Sequence, residues 1–370
     1  MIKLATVFSG IGSVEWALKR LNVPYEIVFA CDNGEIDLKV DEQITRDKIK
    51  SLSTLEEQKK YIDDLLINNR KRNFVKETYL ANYNLSLDRF HHDVRFIDGT
   101  KYNDIDLFVG GSPCQAFSIM GYQKGFEDTR GTLFYDYARL VKEIKPKVFI
   151  YENVQGMLKH DHGKTWQVIR KTFEDLDYSL NIQVLDAKDY GIPQTRRRLF
   201  VIGFRKDLNI QNFEFPLTMP LEFRLQDFLQ STTKFGNFKS VDGNIILEKN
   251  GEEIPSKYFL SELVEKHVMS GGTGNYYTKP EIDLEVARPL LCTMHKMHRA
   301  GVDNYVTYKG KIRKLTPREC LRLMGYDDSF KIVVSDLQTY RQAGNSIVVD
   351  VMLNVVRQII KTNVFQGEEE

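Results

Sequence analysis

The chain has 370 residues, 42% of them hydrophobic, and a formal net charge of +1 at pH 7. This length and hydrophobic content predict a large core and more than one compact unit. The near-neutral total argues against a protein that coats nucleic acid without specificity, although a local basic surface is compatible with it. No apolar run approaches the length of a membrane span and no secretory signal is recognisable, so we expect a cytoplasmic protein.

Short apolar runs alternate with helical patterns through the first two hundred residues. The apolar runs are KLATVFSG, YEIVFACD, DIDLFVGG and KVFIYENV, and the helical patterns are VEWALKRL, FYDYARLVKEI and QVIRKTFEDL. This alternation is typical of an α/β fold, in which a mostly parallel sheet carries helices on both faces. The segment 35–83 is dense in charges of both signs, and we interpret it as a solvated helical insertion rather than a ligand site.

Near residue 205 the alternation stops. Turn-rich stretches such as FPLTMP and SGGTGNYYTKP follow, and they predict a second, loop-rich domain. Helical periodicity returns in SIVVDVMLNVVRQII, which we expect to pack against the first domain, ahead of a solvated GEEE tail. The predicted division is a first domain over 1–207, completed by 335–370, and a second domain over 208–334.

The stretch VFSGIGSVEWAL predicts a strand, a glycine turn and a helix. Gly10 and Gly12 would let a ligand approach the backbone while the helix N-terminus presents unpaired amides. Glu15 occupies the place of the third glycine of a dinucleotide fingerprint, which weakens a nicotinamide or flavin interpretation. Asp32 ends the next apolar run, where doubly wound folds often hold a ribose, and Asp93 is placed similarly. A tight structural connection remains the alternative.

The cysteines are far apart, at Cys31, Cys114, Cys292 and Cys320. Without a C-x-x-C pair they predict neither a disulfide framework nor a zinc cluster. Each cysteine therefore has to be explained singly, and we expect no bound metal.

In GGSPCQAFS, Cys114 follows a predicted strand at the edge where open parallel sheets bind ligands. A lone cysteine is most often a small, inert hydrophobe. Here Pro113, Gln115 and Ser118 surround it with a rigid approach and polar groups, which favours a thiol that meets substrate. Glu152 ends the next strand, KVFIYENV, so the pair suggests a nucleophile and an acid. Alone, Glu152 would be interpreted as a helix cap or an ion-pair partner.

Six segments together resemble the DNA cytosine-5 methyltransferases of bacterial restriction-modification systems. In the family's order they are VFSGIGSVEWAL, GGSPCQAFSIMG with KGFEDTRGTLF, YENVQGM, DYGIPQTRRRLFVIG, RKLTPRECLRLMGY and QAGNSIVVDV. The resemblance implies a Rossmann-like S-adenosylmethionine-dependent methyltransferase fold with a smaller, irregular target-recognition domain. It also implies protection of host DNA beside a companion endonuclease. We expect a monomer.

By this resemblance, the Cys114 thiolate would add to carbon 6 of cytosine and activate carbon 5 for methylation. Glu152 would bind or protonate ring nitrogen 3, and partial burial would raise its pKa. Arg196 and Arg198 alternate along a predicted strand and would share a face. Arg198 would hold the cytosine carbonyl, and Arg196 would support the catalytic loop or the phosphates. An isolated RRR would instead be a solvated strand end.

The resemblance also implies the cofactor pocket for S-adenosylmethionine. Phe8, Gly10, Ile11 and Gly12 would line its methionine side. Asp32 would contact the ribose, and Asp93 and Val94 would contact the adenine. Leu133 and Asn345 would close the pocket, with Pro113 alongside. Family members often have glycine at the position of Ser13, glutamate at that of Asp32 and phenylalanine at that of Ser112. Asp32 can still accept two ribose hydrogen bonds, and Ser112 would act through its backbone.

The target base must be swung out of the duplex, because carbon 5 is inaccessible while the base is stacked. The domain cleft would hold duplex DNA. Residues expected to contact it are Gln115, Ser118, Gly271, Gly272 and Thr273. Basic residues suited to phosphates are Lys296, Arg299, Lys309, Lys311, Arg313 and Lys314. His295 and His298 have no third ligand nearby, and we interpret them as surface or DNA-facing residues.

Two other functions share parts of this pattern. RNA cytosine methyltransferases use the same chemistry, but their Cys-Phe-Thr element is absent from this sequence. A non-catalytic DNA-binding relative would keep the fold, yet the presence of Cys114, Glu152 and Arg198 argues against it.

Overall fold

The structure is a computed structural model that describes residues 1–67, 71–113, 133–273 and 276–366. Three residues of the predicted site, Cys114, Gln115 and Ser118, lie outside the described residues, as does the GEEE tail.

The main sheet contains seven strands among the described residues. They are β1 (Ile2–Val7), β2 (Tyr25–Cys31), β3 (Phe90–His91), β4 (Leu107–Gly110), β5 (Val148–Val154), β6 (Tyr178–Asp186) and β7 (Arg197–Arg205). Their spatial order is β3-β2-β1-β4-β5-β7-β6. The first five strands are parallel, and β7 is antiparallel to both β5 and β6. The prediction of a mostly parallel sheet is confirmed.

Helices cover both faces of this sheet. In chain order they are α1 (Ser13–Arg20), α2 (Glu42–Ser51), α3 (Leu55–Ile67), α4 (Phe74–Asn82), α5 (Leu133–Ile144), α6 (Lys164–Glu174), α7 (Glu262–Val268), α8 (Pro317–Leu323), α9 (Asp336–Asn345) and α10 (Val349–Lys361). Alternate strand residues enter different cores, as the twofold period of a strand requires. Leu4 joins the core beneath α1, α4 and α10, whereas its neighbour Ala5 joins the core beneath α5 and α6.

The last helix packs against the first helix, whereas the sequence predicts only that it packs against the first domain. The guanidinium of Arg20 at the end of α1 donates to both carboxylate oxygens of Asp350 on α10, at 2.8 and 2.9 Å. Both side chains are buried. Over the part of the chain that is described, no single helix is long and apolar enough to cross a membrane, and only α9 and α10, taken together as a bent pair, have the length and composition to do so.

Between residues 208 and 334 the chain forms three small antiparallel ribbons. They are β8 (Phe238–Val241) with β9 (Asn244–Leu247), β10 (Gly272–Thr273) with β11 (Tyr276–Tyr277), and β12 (Tyr305–Tyr308) with β13 (Lys311–Lys314). Val268, Ala300 and Tyr305 form a small separate cluster there. Leu321 and Phe238, however, belong to the large core that contains α1. The boundary at 207/208 therefore remains a prediction, because apolar packing continues across it.

The charged insertion lies between β2 and β3, as expected. Its helices α2 and α3 enclose only a small cluster with Ile49 and Ile62 at its centre. In contrast, α4 turns Tyr79 and Tyr83 into the large core, where both are buried. The insertion is thus solvated over α2 and α3 but structural over α4.

Candidate active site

The glycine turn after β1 has an unusual backbone. Phe8, Gly10 and Gly12 all have positive φ angles, of 53°, 53° and 79°. A Cβ at Gly10 would meet no atom within 4 Å, so the backbone there is open to a ligand. A Cβ at Gly12 would lie 2.3 Å from the ring of Tyr83. Gly10 therefore leaves room for a bound molecule, whereas Gly12 leaves room for α4.

Side chains of α4 hold this turn from behind. The Tyr83 hydroxyl lies 3.0 Å from the carbonyl of Ile11 and 2.5 Å from that of Gly12. Glu15, one turn into the helix that follows, accepts hydrogen bonds from Tyr79 at 2.5 Å and from Thr6 at 3.0 Å. The motifs did not single out these tyrosines, although their spacing of four residues inside a charged segment indicates one buried helix face.

Asp32 follows β2 and lies beside the turn. Its carboxylate accepts a hydrogen bond from the Gly10 backbone at 2.9 Å and from the Gly34 backbone at 2.8 Å. Burial raises the pKa of Asp32, although both backbone hydrogen bonds act to lower it. A carboxylate can accept about four hydrogen bonds. Two acceptor positions therefore remain for hydroxyl donors such as those of a ribose.

The other predicted cofactor residues are distributed around this edge. Asp93 follows β3, and its carboxylate caps the short helical turn that begins at Val94. Leu133 begins α5 and is half-buried. Asn345 ends α9, is exposed, and donates to a carboxylate oxygen of Glu35 at 3.3 Å. Because β1, β2 and β3 are parallel, the residues that follow them share one edge of the sheet.

The segment that leads to Cys114 is fixed by buried polar groups. Asn153 on β5 donates to the carbonyl of Ser112 and to the Tyr151 hydroxyl, both at 2.9 Å. That hydroxyl is also 2.8 Å from the hydroxyl of Ser112. Pro113 follows directly and is exposed. The sequence singled out neither Tyr151 nor this use of Ser112, since only the pairing of β4 with β5 brings the three side chains together.

Glu152 lies at the same edge and faces Arg198 on β7. Its carboxylate is 3.1 Å from the Arg198 Nε, and its side chain is 13% exposed. Burial raises the pKa of Glu152, while the charges of Arg198 and Arg196 oppose the shift. A Cβ at Gly111 would be 2.9 Å from a Glu152 carboxylate oxygen, so the end of β4 approaches this carboxyl closely. The raised pKa is the direction that the sequence predicts.

Arg196 is placed differently from the expectation of phosphate contact. It is 4% exposed, and it donates to the carbonyls of Leu290 at 2.9 Å, Gly344 at 2.8 Å and Ser346 at 2.9 Å. Burial and the charge of Arg198 lower the pKa of Arg196 to about 9. A guanidinium enclosed by backbone carbonyls does not reach DNA phosphates, so that part of the prediction is wrong. Arg196 links the start of β7 to Leu290 and to the end of α9, and its support of the catalytic loop remains a prediction.

The predicted recognition loop forms the ribbon of β10 and β11. Gly272 has a φ angle of 107°, and the backbone of Thr278 donates to the Gly271 carbonyl at 2.9 Å. Thr273 ends β10, and Tyr277 is 74% exposed. This ribbon stands at the surface of the second domain and carries a large aromatic side chain.

The predicted phosphate contacts separate into two groups. Arg313 is fully buried and forms an ion pair with Glu319 at 2.8 Å, so it is unavailable to DNA and its assignment is wrong. Lys311 is exposed, as a phosphate contact requires. His295 lies 3.2 Å from the Cys292 carbonyl and His298 lies 2.9 Å from the Thr293 hydroxyl, so both are engaged in local contacts.

Comparisons with known proteins agree with this arrangement. The crystal structure of S. pombe Dnmt2 methyltransferase covers 98% of this chain and 99% of its own, with a TM-score of 0.61 and 17% identity. Entamoeba histolytica methyltransferase EhMeth is similar, with a TM-score of 0.59 and 16% identity over 98% of each chain. At these identities the likeness establishes the fold, that of the methyltransferases.

Sequence comparison defines the family. The description C-5 cytosine-specific DNA methylase matches residues 54–361. Type II methyltransferase M.HhaI of Haemophilus parahaemolyticus is 39% identical over 290 residues, which cover 77% of this chain and 84% of the relative. Type II methyltransferase M.SsoII of Shigella sonnei is 36% identical over 293 residues, 78% of this chain and 72% of the relative. The chain belongs to the C-5 cytosine-specific DNA methylases.

Proposed function

We propose that this DNA cytosine-5 methyltransferase binds S-adenosylmethionine at the glycine turn and methylates a flipped-out cytosine through a covalent Cys114 adduct. The observation that carries the proposal is the Glu152–Arg198 pair at 3.1 Å, on the edge of the sheet where Ser112 and Pro113 lead to Cys114. An acid, a cation and a thiol-bearing segment on one sheet edge suit attack on an electron-poor ring.

The roles of the residues follow from the charge that the reaction develops. The Cys114 thiolate forms a bond to carbon 6 of cytosine, and the displaced electron pair moves toward ring nitrogen 3. Glu152, whose pKa is raised by burial, retains a proton to donate there. Arg198 lies against that carboxyl and directs its guanidinium to the ring carbonyl. Once carbon 5 has taken the methyl group, with S-adenosylhomocysteine as the leaving group, a base removes the carbon 5 proton, the bond to sulfur breaks and the thiolate leaves.

The residues at the turn fit S-adenosylmethionine. Open space over Gly10 admits a molecule to the backbone, and Asp32 retains two acceptor positions for ribose hydroxyls. Asp93 and Val94 would meet the adenine, while Phe8, Ile11, Gly12, Pro113, Leu133 and Asn345 would line the rest of the pocket. When bound, S-adenosylmethionine supplies the methyl group.

We further propose that the substrate is a specific duplex sequence read by the second domain, with Gly271, Gly272 and Thr273 at the vacated base and Gln115 and Ser118 on the DNA. The enzyme would act as a monomer in the cytoplasm and protect host DNA from a companion endonuclease. The names of the type II methyltransferase relatives support the restriction-modification part of this proposal.

Covalent trapping tests the proposal. Duplex DNA that carries 5-fluorocytosine at the target site is incubated with the enzyme and S-adenosylmethionine, and the adduct is resolved by denaturing gel electrophoresis. Fluorine at carbon 5 prevents the final proton removal, so wild-type protein should remain attached to DNA through Cys114. Cys114→Ser should form no adduct, whereas Cys292→Ser should behave as wild type. Methyl transfer to tRNA but not to duplex DNA, or full activity of Cys114→Ser, would overturn the proposal.

A further inference from the structure

Arg95 encloses the carboxylate of Asp93. Its backbone nitrogen and its Nε each lie 3.0 Å from Oδ1 of Asp93, and its terminal nitrogen lies 2.6 Å from Oδ2. The Asp93 side chain is 4% exposed and that of Arg95 is 18% exposed. The Arg95 Nε also lies 3.2 Å from Oδ2. These four contacts on one buried carboxylate fix its orientation, because rotation would break them together.

The terminal nitrogen that contacts Asp93 also contacts the insertion. It donates to the Asp37 carboxylate at 3.1 Å and to the Leu38 carbonyl at 3.2 Å. A terminal nitrogen of Arg95 also lies 3.8 Å from the Glu42 carboxylate on α2. Arg95 therefore joins the segment after β3 to the first part of the insertion.

A second connection runs from α2 to α5. Arg46 on α2 pairs with Glu42 at 2.9 Å and with Asp136 on α5 at 2.7 Å. Asp136 in turn pairs with Arg139 at 3.3 Å. Arg139 donates to the carbonyl of Val94 at 2.9 Å. The backbone at Val94 is thus fixed by α5, and the insertion contacts α5 through Arg46.

We propose that Arg95 is a positioning residue for adenine recognition and that the insertion holds Arg95 in place, so that residues 35–51 act as a scaffold for cofactor affinity. The inference rests on the proposed assignment of Asp93 and Val94 to the adenine. Arg95 brings three hydrogens to Asp93, since the single Nε hydrogen is shared between Oδ1 at 3.0 Å and Oδ2 at 3.2 Å. A carboxylate accepts about four hydrogen bonds, so about one acceptor position remains for the adenine. A carboxylate oriented before binding loses less conformational freedom when the adenine amino group arrives.

Binding of the reaction product measures this effect without turnover. S-adenosylhomocysteine and its inosine counterpart, which has a carbonyl in place of the 6-amino group, are titrated calorimetrically into wild-type protein and Arg95→Gln. Wild type should favour the adenine compound, because the Asp93 carboxylate accepts from an amino group and repels a carbonyl. Arg95→Gln should bind the adenine compound about tenfold more weakly and the inosine compound nearly unchanged. Arg95→Lys should restore part of the difference.

Matched variants separate positioning from general destabilisation. Arg89→Gln removes a nearby arginine that pairs with Glu26, and it should leave both affinities unchanged. Arg46→Gln leaves the Arg95 contacts with Asp93 intact but removes the link between α2 and α5. It should weaken binding of the adenine compound by a few-fold. In activity assays Arg95→Gln should raise the KM for S-adenosylmethionine with little change in kcat or in the KM for DNA.

Two outcomes would overturn the inference. An equal loss of affinity for both compounds in Arg95→Gln would mean that the arginine only supports the fold. An unchanged adenine affinity in Arg95→Gln, with a weakened one in Asp93→Asn, would mean that Asp93 is oriented without Arg95. If Asp93→Asn also leaves the affinity for the adenine compound unchanged, then the assignment of Asp93 to the adenine fails. That result would show that the error lies in the proposed function and not in the role of Arg95.

Discussion

The Glu152 carboxyl is buried and has two cations nearby. The balance between burial, which raises its pKa, and the two positive charges, which lower it, decides its protonation. Burial raises its pKa above the ordinary value, and the arginines only partly oppose this. The carboxyl that donates a proton is therefore lost as pH rises through the raised pKa. We expect the kcat of the wild type to fall on the alkaline side for this reason. In Glu152→Gln, kcat should be at least about a hundredfold lower than in the wild type, and the alkaline fall in kcat should be absent.

Glu174→Gln is the matched control, because Glu174 is a surface residue paired with Arg170 on α6. Its pH-rate profile should coincide with that of the wild type. An alkaline fall of the same position and depth in Glu152→Gln would assign the titration to another group.

Glu15 is buried without a cationic partner, and one of its oxygens has no hydrogen-bond partner among the described residues. Burial raises the pKa of Glu15 above 4.5, although hydrogen bonds from Tyr79 and Thr6 act in the other direction. The folded state then holds the proton more tightly than the unfolded state. Stability should accordingly fall as pH rises from about 4.5 through the folded pKa.

Urea unfolding at pH 5 and pH 8 tests this linkage. Glu15→Gln keeps a carbonyl acceptor for Tyr79 and Thr6 but cannot ionise. The loss of unfolding free energy between the two pH values should be smaller in the variant by on the order of 1 kcal/mol. Identical losses in both proteins would show that Glu15 does not titrate in this range.

At the scale of elements, the edge formed by β4 and β5 depends on one amide. Asn153 supplies two hydrogen bonds that hold Ser112 and Tyr151, and all three side chains are buried. Asn153→Ala should cost about 1–3 kcal/mol, since it leaves the Ser112 carbonyl without its donor. It should also lower kcat, because the backbone before Cys114 loses its anchor.

Tyr151→Phe is the comparison for that variant. It keeps the ring and the Ser112–Asn153 contact, so we expect a smaller loss of both stability and kcat, measured by urea unfolding and methyl transfer. A larger effect of Tyr151→Phe than of Asn153→Ala would mean that the tyrosine hydroxyl, not the amide, anchors this segment.

The elements also show where sequence reasoning stops. Apolar runs located β1, β2, β4 and β5 and their parallel order, because a strand buried on both faces is recognisable from composition alone. The reversed direction of β7, which is antiparallel to both β5 and β6, is not encoded in such runs. The site divides in the same way, because motifs identified Glu152 and Arg198. The burial of Arg196 depends on partners almost a hundred residues away in the sequence. The burial of Arg313 depends on its ion pair with a residue of a helix cap that forms only in the fold.

At the scale of the whole molecule, Arg196 connects three parts of the chain. Its guanidinium donates to the backbone carbonyls of Leu290, of Gly344 near the end of α9 and of Ser346 directly after α9, and it is almost completely buried. Lysine cannot reproduce a planar fork with several donors, so Arg196→Lys should lower the free energy of unfolding by about 2–4 kcal/mol.

Arg197→Lys provides a control at the adjacent position. The Arg197 side chain is 56% exposed and pairs with Asp186, so the substitution should change stability by no more than about 0.5 kcal/mol. Urea unfolding monitored by intrinsic fluorescence compares the two. Equal effects would contradict the role of Arg196 as a connection between the domains.

The pairing of Arg20 with Asp350 has a consequence for biosynthesis, because 330 positions separate the two residues. A ribosome makes the glycine turn and α1 first, and α10 among the last helices, so the part of α1 that packs against α10 stays uncovered during nearly all of translation. Contacts so remote in sequence form slowly and late. A nascent chain released before α10 would thus leave that part of α1 exposed to water, so we expect methylation activity only from chains translated through α10.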